Sequence, residues 1–179
     1  EIIRRYYYAL CKLAEKGDNE NEVNKIALIM KQAKLTTDYR RTTVAAQERR
    51  ELSNGVPCAA IELQDGTIIT SRSSSLLGPC AALLLNATKH LIPEELIAPI
   101  QKTKVEYLHG HNPRLHTDEI LVAISLLSNH DEDCRKAIDQ LPKLQGCQVH
   151  CTVMLSEVDQ KIFKKLRIGL TCDPVKKKE

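Results

Sequence analysis

Tryptophan is absent from this 179-residue chain, phenylalanine occurs once and tyrosine five times. So thin a supply of planar side chains gives no platform on which successive bases could stack. With 26 basic against 23 acidic residues and a net charge of +3, the chain also lacks the electrostatic footprint that a phosphate backbone demands. Nucleic acid is therefore not an expected partner. The tail Lys176–Lys178 reads as a solvated end, and Arg40–Arg41 and Arg49–Arg50 add only local positive charge. No apolar run approaches the roughly 18 residues that a membrane-spanning helix needs, so no membrane partner is expected either. The seven cysteines (Cys11, Cys58, Cys80, Cys134, Cys147, Cys151, Cys172) contain no Cys-x-x-Cys pair. Their odd count and irregular spacing speak against a disulfide framework and against a zinc ribbon. A reducing, cytoplasmic setting without a metal cofactor is the expectation. The start at Glu1 carries neither an initiator methionine nor a signal-peptide pattern, which leads us to expect a longer protein.

What is present begins with three helical segments. Ile2, Ile3, Tyr6, Leu10 and Leu13 fall at helical spacing up to Gly17. Asn19 with Glu22 has the form of a capping box for a second helix with the stripe Val23, Ile26, Ala27, Met30 and Ala33. Thr37 is placed to cap a third helix through Val44, Ala45 and Leu52, stopped by Ser53-Asn54-Gly55. These helices carry no evident chemistry, and residues 1–55 read as a helical subdomain.

From Gly55 the pattern changes. Two short apolar runs, Pro57–Leu63 and Thr67–Ser71, flank Gln64-Asp65-Gly66, a hairpin signal. A Ser-rich turn, Arg72 to Cys80, then leads into an apolar helix over Ala81–Leu91. Further along, the spacing predicts a short helix over Pro93–Ile100 and a strand over Lys104–Leu108. An apolar helix follows, capped by Thr117 and stopped near Ser128-Asn129, and Asp131 is placed to cap another. The chain closes with a strand over Gln148–Leu155, a helix capped by Ser156 with Asp159, and a strand over Arg167–Cys172. Helical crossovers between the later strands imply parallel pairing. Residues 56–179 are thus expected to form a three-layer α/β subdomain with a mixed sheet of about five strands.

In such sheets small molecules bind outside the carboxyl ends of parallel strands, beside helix starts. Two starts qualify, and the fourteen residues Tyr107–Ile120 hold the denser chemistry. If the two sit together, Arg72, Ser74, Gly78, Asn112, Arg114 and His116 line one pocket. Arg114 would clamp an anion, Asn112 would orient it, and His116 would serve as acid or base. His150, in a strand beside Cys151 and Thr152, faces either the core or the sheet end, and is counted with the ligand-binding candidates. Cys80 with His109, His111 or His116 offers metal-type ligands, but at a spacing that matches no recurring motif.

A hairpin followed by two such helix starts resembles the cytidine-deaminase-like fold. The residues refuse the activity, because a zinc deaminase needs His/Cys-x-Glu at one start and Pro-Cys-x-x-Cys at the other. Here Gly78-Pro79-Cys80-Ala81-Ala82-Leu83 has a lone thiol and no carboxylate, and the second start has no cysteine pair. No HExxH, GxSxG or Cys/His peptidase signature occurs.

The strings EIIRRYY, IELQDGTIIT, LLGPCAALLLNA, NPRLHTDEILVA, HCTVMLSEVDQKIFKKL and TCDP, in that order, resemble the bacterial two-domain family known as domain of unknown function 1846. The resemblance spans essentially the whole chain and implies that it corresponds to the C-terminal part of the full protein. It also implies a larger N-terminal part with a glycine-rich, phosphate-loop-like segment as partner. It brings no established activity. The positions it carries over are Gly78 and Pro79, Asn112 to His116, and His150 with Thr152; Cys80, His109 and His111 lie outside the pattern. Two functions follow as expectations: a half-site for a phosphate- or carboxylate-bearing small molecule, or a non-catalytic docking or homo-oligomerising domain.

Overall fold

The computed structural model describes residues 1–17, 20–92 and 115–176. The expected capping by Asn19, the helix over 93–100, the strand over 104–108, and Asn112 and Arg114 lie outside them. Among the described residues, helices α1 (Ile2–Lys16), α2 (Glu20–Gln32) and α3 (Arg41–Glu51) precede a hairpin of β1 (Cys58–Glu62) and β2 (Ile68–Arg72). Next come α4 (Pro79–Leu91), α5 (Thr117–Leu127), α6 (Glu132–Gln140), β3 (Gln148–Cys151), α7 (Glu157–Lys165) and β4 (Gly169–Cys172).

Among the described residues the sheet has four strands in the order β2-β1-β3-β4; the sequence led us to expect about five, one of them over 104–108, outside those residues. Strand β1 is antiparallel to β2, pairing Cys58 with Arg72 and Glu62 with Ile68, and antiparallel to β3, pairing Ala59 with Cys151. Strands β3 and β4 are parallel, as the helical crossover α7 requires. Strands β2, β3 and β4 therefore point the same way, and Arg72, Cys151 and Cys172 end on one edge. The hairpin turn closes on Gly66, whose φ of 83° a side chain would resist, while Asp65 accepts from the Thr67 N–H at 2.9 Å.

Strand β3 is shorter than its apolar run. Thr152 still donates its N–H to Cys58 O at 2.9 Å, but its hydroxyl in place of its carbonyl accepts from Cys58 N–H at 2.9 Å, and the regular ladder ends there. Val153 and Leu155 then bend into the core.

Side-chain alternation divides the two faces of the sheet. Ala59, Ile61, Val149 and Cys151 meet Leu83 and Leu84 of α4 and Phe163 of α7, each at most 1 % exposed. Burying a side chain such as Phe163 or Leu83 contributes about 1.5–3 kcal/mol. A second cluster joins Ala81 of α4 to Ile120 and Ile124 of α5 and Cys134 and Ala137 of α6. Across the other face lies α3, which presents Thr42, Thr43 and Ala46, while Val44 and Leu52 face solvent. The small residues let the helix approach the alanines of β1. The sequence had placed the α-helix start at Thr37; instead Thr37–Tyr39 form a 3-10 turn and Arg40 precedes α3. Helix α1 wedges between α2 and the edge strand β4, so Tyr7 and Ala9 are buried and the expected stripe is half-exposed.

All seven cysteines are free. A hydrogen bond with Cys151, reinforced by burial, holds the Cys80 thiol well above its usual range; burial does the same for Cys172 and pushes Cys11 up to about 12. Burial also raises the Tyr7 phenol. Unfolded thiols lose their protons near pH ~8.5, so above that pH the folded chain binds more protons than the unfolded one. Stability should therefore be steady to about pH 8 and fall as pH rises through the folded values. Urea midpoints across this range check it: the decline should lessen in Cys80→Ala.

Candidate functional site

The carboxyl edge of the sheet collects the starts of α4, α5 and α7. Two of these starts are tied together by backbone, through an isolated parallel bridge between Leu77 and Leu115. Leu115 N–H donates to Leu76 O at 2.7 Å and Gly78 N–H donates to Leu115 O at 3.0 Å. The residues that follow each partner of the bridge, Gly78 and His116, are the N-caps of α4 and α5. The two turns singled out from the sequence thus meet.

The third start is joined by a carboxylate. Asp159, in the first turn of α7, is 2 % exposed. Its Oδ1 accepts from Thr117 N–H at 3.0 Å and its Oδ2 accepts from Ser156 Oγ at 2.9 Å, while its own N–H donates back to Ser156 Oγ at 3.1 Å. His116 Nδ1 stands 3.7 Å from the same Oδ2, with 42 % of the imidazole exposed. A solvent-reachable imidazole standing beside a buried carboxylate is an arrangement suited to moving protons.

That geometry corrects two expectations. The N-cap of α5 is His116, because Thr117 is already inside the helix and its N–H is committed to Asp159. The start of α5 also has less capacity to grip an anion than its dipole suggests. Glu119 accepts from His116 N–H at 2.7 Å and Asp159 from Thr117 N–H, so the chain's own carboxylates occupy the positive end of the helix.

Of the predicted residues, Arg72 is exposed at the end of β2 and Gly78 is buried at the α4 start. The Ser74 hydroxyl accepts from Leu76 N–H at 3.2 Å and Leu77 N–H at 2.9 Å, a local turn that shapes the approach to α4. His150 is not gathered with them. It lies on the α3 face of the sheet, fully buried, with Nδ1 2.9 Å from Thr171 Oγ1 and Nε2 3.2 Å from Asp173 Oδ1. Among the described residues no group of three or more His, Cys, Asp or Glu is arranged to hold a metal ion. Asp159 is the residue sequence reasoning undervalued: Ser-x-x-Asp announced a helix cap, and nothing local announced that the cap would reach a second helix.

The chain matches the family model described as domain of unknown function DUF1846, C-terminal, over residues 38–179. It is 45 % identical over 184 residues to a UPF0371 protein of Corynebacterium aurimucosum, covering 98 % of this chain and 37 % of that protein. It is 43 % identical over 183 residues to one from Corynebacterium urealyticum, with 97 % and 37 % covered. A UPF0371 protein of Streptococcus pyogenes serotype M5 is 41 % identical over 184 residues, with 98 % and 37 % covered. The chain spans about 37 % of the length of these relatives. With its model match over most of the chain and relatives above two-fifths identity, the chain belongs to the uncharacterised bacterial DUF1846 family and corresponds to that family's C-terminal domain.

Proposed function

We propose that the carboxyl edge of the sheet is one half of a site for a phosphate- or carboxylate-bearing small molecule, completed by the N-terminal part of the full-length protein. The observation that carries this reading is the Leu77–Leu115 bridge, which sets Gly78 beside an exposed His116 that stands 3.7 Å from the buried Asp159 carboxylate. In this reading His116 acts as acid or base. Arg72 and Arg114 supply positive charge, and Asn112 orients the ligand. The order of the sheet, with a leading antiparallel hairpin and helix starts at the carboxyl ends, supports a cytidine-deaminase-like arrangement for ligand placement. It does not support deamination, because Cys80 has no Cys-x-x-Cys or His/Cys-x-Glu companions. Seven free thiols support a reducing, cytoplasmic setting.

The test is a thermal-shift and calorimetric screen of nucleotides and sugar phosphates on the full-length protein. Arg114→Ala should weaken the bound ligand by at least about tenfold, a loss of roughly 1.4 kcal/mol. His116→Ala should leave affinity within about threefold. Unchanged affinity in Arg114→Ala across the panel would discard the site.

A second reading, a docking or dimerisation role for residues 1–53, is supported by α2. That helix is held mainly by α1 and leaves Leu28 56 % and Ile29 48 % exposed. If they face the remainder of the protein or a second copy, Leu28→Asp should change the sedimentation of a mixture of the two parts, or of this chain alone.

A further inference from the structure

At the opposite edge of the sheet, where β3 and β4 begin, lies a cleft of about 370 Å³ lined by Arg4, Arg40, Lys164, Arg167, Gly146 and Gly169, with Glu1 as its one carboxylate. It shares Arg4, Lys164 and Ile168 with a neighbouring hollow of about 510 Å³, to which Tyr8, Lys161 and Leu170 belong. Four cations thus meet at one end of a groove whose other end is partly apolar. Glu1 is bound to Arg4, one of the four, at 2.7 Å and to Arg5 at 3.2 Å, which leaves Arg40, Lys164 and Arg167 without a carboxylate partner among the described residues.

Arg40 is the telling member. Its guanidinium bonds only neutral acceptors: Gln148 Oε1 at 2.7 Å, Val149 O at 2.9 Å and Gly169 O. Its Nε is buried without a partner among the described residues. Glu62, a carboxylate whose charge draws on it, is engaged by Arg41 at 2.6 Å. Burial, and then the charge of Arg4, pull Arg40 down to about 10, so the folded chain bears the cost of a desolvated cation with no anion beside it.

The backbone bears a second cost in the same place. Arg167 sits at φ 56°, in the left-handed region, one residue past the helix end where glycine or asparagine is favoured. Gly169 completes the wall. A Cβ there would lie 2.6 Å from Gln148 Oε1, the atom that Arg40 holds, so only glycine keeps both the bond and an open floor. The last carbonyls of α7 also end here and oppose an anion, which gives Lys164 and Arg167 a local partner but not a full counter-charge.

We infer that this cleft binds the diphosphate of a small molecule such as a nucleoside diphosphate, with phosphates among Arg40, Lys164 and Arg167 and the organic part along Tyr8 and Leu170. Guanidinium forks suit phosphate oxygens, and the two hollows are of the size that small-ligand sites occupy. This site is separate from the carboxyl edge and does not rest on that reading.

The experiment is calorimetric titration of the full-length protein with ADP, inorganic pyrophosphate and adenosine. ADP and pyrophosphate should bind, more weakly as salt is raised, and adenosine at least tenfold more weakly than ADP. Lys164→Glu/Arg167→Glu should weaken ADP at least tenfold, while Lys25→Glu/Lys31→Glu on α2, the same change of net charge, should not. Arg167→Gly should raise the melting temperature by relaxing the backbone and still weaken ADP. No binding of ADP or pyrophosphate at 1 mM overturns the inference. So does full affinity in Lys164→Glu/Arg167→Glu. A loss confined to Arg72→Glu would overturn it too, and would assign the ligand to the carboxyl edge instead.

Discussion

Replacing His150 by leucine should cost about 1–3 kcal/mol, the penalty for leaving the buried oxygens it bonds short of a partner. The imidazole is fully buried, and its two nitrogens are divided between Thr171 and Asp173. Thr171 has one proton to give and directs it to Val149 O at 3.1 Å, so its oxygen is left to accept from Nδ1–H. Asp173, 8 % exposed, accepts on its other oxygen from Gln47 Nε2 of α3. Tyr7 of α1 packs on the ring at 4.9 Å between centroids. One histidine therefore ties α1, α3, β3 and the end of β4. For a chain of this size the loss amounts to a fall in melting temperature of about 2–12 °C. The double variant His150→Leu/Asp173→Leu should lose less than the sum of the two singles, because neither polar partner is then stranded. Additive losses, or less than ~1 kcal/mol for the single variant, would show that the pair contributes nothing beyond packing.

Histidine 150 also shows where sequence reading reaches its end. The run QVHCTVML announces a strand, and period-2 alternation sets His150 opposite Val149 and Cys151. Which of those faces meets α3 depends on partners more than a hundred residues away, such as Tyr7 and Gln47. Local signals behave better: the Asp65-Gly66 hairpin, the Ser53-Asn54-Gly55 stop and the Asp131 and Ser156 caps all stand where their chemistry places them. Threonines do not count as apolar in a periodicity, so the sequence points to Val44, Ala45 and Leu52 on α3, yet Thr42 and Thr43 belong to its buried face. The same blind spot concealed Arg40. A single arginine between a 3-10 turn and a helix has no motif, and its role appears only when the starts of β3 and β4 come within its reach.

The meeting of the two helix starts was legible as a possibility and fixed by one backbone bridge, whereas the clasp beneath them was not legible at all. Asp159→Ala should cost about 2–4 kcal/mol, since it removes a charged acceptor from Thr117 N–H and a reciprocal cap from Ser156 together. The loss should be local at first. In native-state hydrogen exchange the Thr117 amide should lose protection by more than tenfold, while amides of β1 keep theirs. Asp159→Asn separates packing from charge. An amide can still accept from Thr117 N–H, so most of the stability should return, but the negative charge 3.7 Å from His116 Nδ1 is gone. If His116 transfers protons, the asparagine variant should fold and fail to turn over, with ligand affinity kept within about threefold. Should Thr117 remain protected in Asp159→Ala, the carboxylate is not what joins α5 to α7.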